Sequence, residues 1–205
     1  METTILAAKS PRSLECAQQL LLINQLVAFP TDTVYGVGAL AFNSEAINQL
    51  YLVKGRDTAK AIAVLLGDIS ALGQVTASMG PLAERLAQCF WPGPLTLVVN
   101  RHPDLPANLS PQPTIGVRMP DHPVALELLR HTGPMAVTSA NLSGASNSIT
   151  AQQVFDQLQG RIPLILDGGA TPGGEPSTVV DCTGDQLVIL RQGPVTLDQL
   201  LSALA

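Results

Sequence analysis

Apolar residues recur along this chain in two rhythms. Leu14, Ala17, Leu20 and Leu21 share one helical face and predict a helix over 13–24 with Ser13 as its cap. Ala46, Ile47 and Leu50 predict a second helix, opened by Ser44 and running to residue 53. Pro81 suits the first position of a helix to residue 89, and Pro123 starts another to about residue 131. Thr150 with Gln153, and Thr196 with Gln199, have capping-box spacing, the first for a helix to residue 158. The other rhythm is the short apolar run bounded by breakers, which predicts strands over 26–29, 61–66, 95–99, 115–118, 135–138, 164–166, 178–181 and 187–191. Helices and strands interleave, but several strands follow one another directly. That pattern predicts a three-layer α/β domain with a mixed sheet.

Composition narrows the picture. The 205 residues are 46% hydrophobic and 13% charged, which suits one globular domain over 1–205 with a substantial core. The net charge of −5 argues against broad, salt-driven nucleic-acid binding but leaves room for a local anion site. Cys16, Cys89 and Cys182 are widely spaced and form no CxxC pair, so they read as buried, reduced thiols. No basic leader precedes an apolar run, and no stretch approaches ~18 consecutive apolar residues. The expectation is a soluble, cytoplasmic protein without a membrane partner.

Candidate chemistry begins where the strand at 26–29 breaks into Pro30-Thr31-Asp32-Thr33-Val34-Tyr35-Gly36-Val37-Gly38. A run of hydroxyls and backbone N–H donors, followed by Lys54, Arg56 and Lys60, suits a polyanion such as a nucleoside triphosphate. Solvated cations at a helix end are the competing reading of that cluster. The run from Gly36 to Ala41 matches G-x-G-x-x-G/A, but the next helix cap comes only at Ser44, so a dinucleotide fingerprint is rejected. No Gly is followed by Lys, so there is no P-loop.

Trp91, within Phe90-Trp91-Pro92-Gly93-Pro94, reads as the anchor of a structural turn. Arg118 closes a strand, where it can clamp a carboxylate or phosphate or form a surface ion pair. Thr138-Ser139-Ala140-Asn141-Leu142-Ser143-Gly144 follows a buried strand, at the end where open α/β sheets bind ligands. Ser177 and Arg191 add similar groups. The four-proline loop from Arg101 to Thr114 is long enough to be functional. His102, His122 and His131 show no metal spacing.

Seven segments in order resemble the YrdC/Sua5 family of threonylcarbamoyl-adenylate synthases: PTDTVYGVG, KGR, FWPGPLT, VRMPDHP, TSANLSG, STVVD and ILRQG. The chain departs from the family pattern at Asp57 and Ala61, where prolines are usual. It resembles the short form of the family, without the extra C-terminal domain of longer members. Ser139 and Asn141 place it with the synthases. The resemblance implies a three-layer YrdC-like α/β fold with a twisted mixed sheet and a concave cationic cleft.

The implied reaction joins L-threonine, bicarbonate or CO2 and ATP into threonylcarbamoyl-AMP and pyrophosphate. The product would pass to a tRNA threonylcarbamoyl transferase complex for the t6A modification. By motif position, ATP falls to Arg56, Lys60, Asn141 and Arg191, with Thr114 and Ser148. Threonine falls to Thr33, Arg118, Ser139 and Ser177. Lys54 and Arg56 are the implied catalytic cations, with Lys54 supporting carbamate or phosphates. Mg²⁺ would travel with the triphosphate, since no carboxylate cage is visible. The alternative from another class is a non-catalytic RNA-binding or ribosome-maturation factor, against which stand the acidic balance and only 3% aromatic residues.

Overall fold

The structure is a computed structural model that describes residues 1–184 and 186–205, leaving aside the Pro11 side chain. In chain order it has β1 (Thr4–Ala7), α1 (Pro11–Leu22), β2 (Val27–Phe29), β3 (Gly36–Leu40), α2 (Ser44–Lys54), β4 (Ala63–Leu65), α3 (Leu72–Val75), β5 (Thr76–Ser78) and α4 (Pro81–Phe90). There follow β6 (Leu95–Arg101), β7 (Thr114–Arg118), α5 (Pro123–Thr132), β8 (Met135–Ser139), α6 (Ala151–Leu158), β9 (Leu164–Asp167), β10 (Thr178–Asp181), β11 (Val188–Arg191) and α7 (Leu197–Leu204).

The helix starts obey local rules, with small shifts from the expected ones. α1 begins at Pro11 behind Ser10, while the Ser13 hydroxyl instead donates to Ala7 O at 2.8 Å. Asn43 caps α2, accepting from Ala46 N. The Thr196–Gln199 box is complete. At α6, Thr150 accepts from Gln153 N, but the Gln153 amide reaches Ile149 N rather than closing the box.

The strands form one mixed sheet in the order β1-β9-β2-β3-β8-β4-β7-β6-β10-β11, with β5 paired to β6. β1 with β9, β2 with β9, β4 with β7 and β6 with β10 pair parallel, and the other neighbours pair antiparallel. The glycines of the rejected fingerprint lie inside β3, antiparallel to β2 and β8, and open no helix. The polar segment after β6 is largely structural. It contains a 3₁₀ turn over Ala107–Leu109, buries Leu105, Leu109 and Ser110, and gathers the carbonyls of Pro106, Ala107 and Ser110 around Arg101 Nη1, whose two protons they share. The cysteines are free but unevenly placed: Cys182 is buried, Cys16 half-buried and Cys89 exposed. No described helix is long and apolar enough to cross a membrane.

Alternation along the strands sorts the core onto two faces. Ala28, Val64, Ala136 and Ile165 pack with α2, α4, α6 and α7. Their neighbours Val27, Phe29, Leu65, Met135, Leu164 and Leu166 pack with α1 and α5. The second helix layer, α1 and α5, packs on the part of its face from β9 to β4. The cleft forms where that cover ends: the face lies bare from the Gly36 end of β3 and the Ser139 end of β8 across β4, β7, β6 and β10.

Candidate active site

The bare face is floored by small residues. Gly36, Ala63, Gly116, Val98 and Val179 line a cavity of about 390 Å³. A Cβ on Gly36 would lie 2.7 Å from Val137 Cγ1, and one on Gly116 would lie 3.0 Å from Thr96 Cγ2. The floor is thus kept low by residues that cannot be enlarged without local movement. Around it stand Arg56, Arg118 and Arg191 with Thr31, Thr33, Thr96, Thr138, Ser139, Asn147 and Ser177. Among the described lining side chains none is acidic.

Several of these groups share one transverse row of the sheet. Leu65 pairs with Arg118, Thr96 with Val179, and Val179 with Arg191. Arg118 lies one residue past the Val117–Leu97 pair, which sets it beside Thr96.

Arg118 is almost wholly buried. Its Nε donates to Gly93 O at 3.0 Å, its Nη1 to Thr33 Oγ1 at 3.0 Å, and its Nη2 to Asp32 Oδ1. The Trp91 turn is therefore structural and also part of the site, because it presents the Gly93 carbonyl that fixes Arg118. Of a guanidinium's five N–H donors, two remain free for a ligand. Burial lowers the Arg118 pKa, Asp32 offsets part of that, and the Arg191 charge adds to it.

The hydroxyls beside Arg118 have a fixed polarity. Thr31 gives its proton to Val34 O at 2.6 Å, so in the Thr31–Thr33 contact of 3.0 Å Thr33 is the donor. Thr33 also accepts from Arg118, which leaves it one lone pair and no proton to offer. The corner next to Arg118 thus presents two donors and one acceptor, the complement of a carboxylate and a neighbouring amine.

Arg191 is stapled to Ser177: Nε and Nη2 donate to its carbonyl at 3.0 and 2.8 Å, and Nη2 to its hydroxyl at 3.1 Å. Both Nη1 donors stay free. Ser177 Oγ also meets Thr96 Oγ1 at 2.8 Å. Arg56 leans on Lys60 O at 3.3 Å and Ala61 O at 2.8 Å. Burial lowers the pKa of both arginines, and the charge of Arg56 adds to the effect at Arg191. Asp57, one of the two departures from the family pattern, accepts from Ala59 N at 2.9 Å and caps its own turn. Ala61, the other, supplies both a lining side chain and a carbonyl for Arg56.

The cavity therefore brings together Thr33, Arg56, Arg118, Ser139, Ser177 and Arg191 from the residues singled out in the sequence. Lys54, Lys60, Thr114, Asn141 and Ser148 lie outside its lining. Lys60 is exposed, and Thr114 shares the face of Gly116 and Arg118 at the far end of β7. Ser148 is fully buried and donates to Ala140 O at 2.9 Å. Asn141 gives both amide protons to Leu142 O and Ala145 O, each at 2.8 Å.

Lys54 is 3% exposed, and its ammonium donates to the carbonyls of Ser139 and Asn141. Its own carbonyl accepts from Ser143 N at 2.9 Å. Burial, then the Arg56 charge, push its pKa down to about 8. The Lys54 ammonium, expected to support carbamate or phosphates, thus clamps the 139–143 loop with two of its three N–H donors. Asp32, Thr31, Thr96 and Asn147 were missed as site residues, although the first three lie inside motifs already noted.

An α/β mixed sheet carrying a cleft lined by three guanidinium groups is the class that fold and site define. The model of the Sua5/YciO/YrdC family, described as "Telomere recombination", matches residues 19–193, and the chain belongs to that family. Threonylcarbamoyl-AMP synthase of Bacillus subtilis is 44% identical over 97% of this chain, which spans 58% of that protein. A Mycobacterium tuberculosis relative, provisionally given the same name, is 42% identical over 94% of this chain and 89% of its own length. The structure of P. abyssi Sua5 complexed with L-threonine superimposes with a TM-score of 0.94 at 34% identity, covering 98% of this chain and 61% of that one.

Proposed function

We propose that the protein is an L-threonylcarbamoyladenylate synthase. The observation that carries this reading is the corner made by Arg118 and Thr33, whose free donors and acceptor fit an α-amino acid, facing Arg56 and Arg191 across one cationic cleft. Relatives named for this activity, and a threonine-bound neighbour of the same fold, support it.

Threonine's neutral amine adds to CO2 and gives up one proton to solvent, leaving a carbamate, whose oxygen attacks the α-phosphorus of ATP while pyrophosphate leaves. At the phosphoryl step the nucleophile is already anionic, so no strong general base is needed there, in keeping with a cleft of arginines and hydroxyls. The obstacle is repulsion between carbamate and triphosphate. Fixed donors offset it, and positioning contributes up to ~7–11 kcal/mol. Arg56 and Arg191 hold phosphates, with Lys60 within reach from its exposed turn. Arg118 takes the threonine carboxylate, and Ser139 and Ser177 flank the amino acid. Lys54 and Asn141 act by shaping the 139–145 loop.

Among the described residues no three His, Cys, Asp or Glu side chains are grouped to hold a metal. The cleft donors suit anions, so Mg²⁺ fits only as a companion of the triphosphate, and no step is assigned to it. The product passes to a separate tRNA threonylcarbamoyl transferase complex. The test is pyrophosphate release by the pure protein with threonine and bicarbonate each omitted in turn. Release that ignores either omission refutes the reading.

A further inference from the structure

Asp32 does not line the cleft, yet it holds the side chain that commits the cleft to a carboxylate. We propose that Asp32 is a positioning residue for the amino-acid substrate: it fixes the Arg118 guanidinium so that the two unused N–H groups face the cleft. The inference rests on the threonine reading above.

Arg118 has three tethers, and two are neutral acceptors, Gly93 O and Thr33 Oγ1. Asp32 Oδ1 is the charged one, between side chains only 6% and 11% exposed. Arg191 acts on Arg118 with like charge, so a guanidinium whose Nη2 lacks an acceptor is pushed out of register. What Asp32 supplies is that acceptor, held at a fixed place.

The post itself is rigid. Gly174 N donates to Thr33 O at 2.9 Å, and Gly173 packs so closely that a Cβ there would lie 2.8 Å from Asp32 O and 2.9 Å from Thr33 Cα. Among the described residues Arg118 is the one cation in a salt bridge with Asp32. His122 faces it, but its Nδ1 is buried without a partner, and burial keeps the ring neutral against the pull of Asp32 and Asp121. Asp32 Oδ2 is likewise buried and unpartnered, so the carboxylate serves Arg118 through one oxygen alone.

The test compares Asp32→Ala with Asp32→Asn, which keeps an acceptor for Nη2 but removes the charge. Steady-state kinetics vary threonine and ATP separately, and arginine side-chain ¹⁵N spectra follow Arg118 in the ligand-free proteins. Asp32→Ala should raise KM for threonine about tenfold or more, with KM for ATP unchanged. Asp32→Asn should stay within about threefold of wild type. The Arg118 Nη signals should be resolved in wild type and Asp32→Asn and averaged in Asp32→Ala. Equal losses toward both substrates, or averaged Nη signals already in wild type, would overturn the role. Should Asp32→Ala fail to fold, Asp32→Asn decides: a large rise in its threonine KM overturns the proposal, and retention supports it. A wild-type protein with no threonine turnover would refute the reaction, while the spectra still judge the positioning.

Discussion

Replacing Lys54 by Met keeps the buried aliphatic stem and removes the ammonium. Burial holds the folded-state pKa near 8 against an ordinary 10.5, so the charged form is disfavoured in the fold. Below pH 8 both folded and unfolded states carry the proton, and the cost of the buried charge is present in full. Between pH 8 and 10.5 the folded state binds fewer protons than the unfolded one, so stability contributed by this group rises with pH. The shift corresponds to a gain on the order of 3 kcal/mol across that window. Cys182 and Tyr35, both pushed up to about 12, act in the opposite sense at alkaline pH. The informative quantity is therefore the difference between wild type and Lys54→Met.

At pH 7 the variant loses the charge penalty but leaves the carbonyls of Ser139 and Asn141 unpaired, at about 1–3 kcal/mol each. Urea midpoints should then nearly coincide at pH 7, and wild type should gain on the variant toward pH 10. Turnover should nonetheless fall about 10²-fold, because the loop carrying Ser139 loses its clamp. The assays are urea unfolding from pH 7 to 10.5 and threonine-dependent pyrophosphate release. A difference that stays flat with pH, or a folded Lys54→Met with full turnover, refutes the reasoning.

Arg56→Ala should lower turnover on the order of 10²–10³-fold with little change in Tm, since its side chain borders the cleft and not the core; unchanged rates in the folded variant would return it to a solvated helix end. Gly36→Ala should cost about 1–3 kcal/mol in urea unfolding and raise KM, because its Cβ meets Val137 on the cleft floor. Substituting 2-aminobutyrate for threonine should cut kcat/KM sharply, as a hydroxyl-lined pocket rejects an analogue without its hydroxyl; equal turnover would contradict the assignment. Threonylcarbamoyl-AMP should form without RNA, and tRNA affinity at physiological salt should be weak given the net charge of −5; strict tRNA dependence would revive an RNA-binding reading.

What was legible in the sequence followed from periodicity and punctuation. β10 appears at its expected bounds because its apolar run is cleanly delimited, and Pro81 and Pro123 mark their helices to the residue. β3 was hidden because its glycines mimic a phosphate loop; only pairing with β2 and β8 makes it a strand. β1 was missed because it is a half-exposed four-residue edge strand. In the site, Arg118 and Arg191 were visible as cations at strand ends. The burial of Lys54 was hidden because sequence cannot say whether a lysine at a helix end looks outward or inward. Asp32 escaped because an acid in an anion site makes sense only once its partner is known.

The row that links Arg118, Thr96, Val179 and Arg191 makes the hydrogen-bonded ladder a ruler. Strands sit ~4.8 Å apart, so three steps set the two arginine backbones about 14 Å apart. That spacing changes only in whole strand steps and belongs to the backbone. Point substitutions alter what each mark on the ruler recognises and leave the marks in place. A one-residue slip of β7 is different: it would turn Arg118 into the layer of α2 and α4, erasing the corner it forms with Thr33 in a single move.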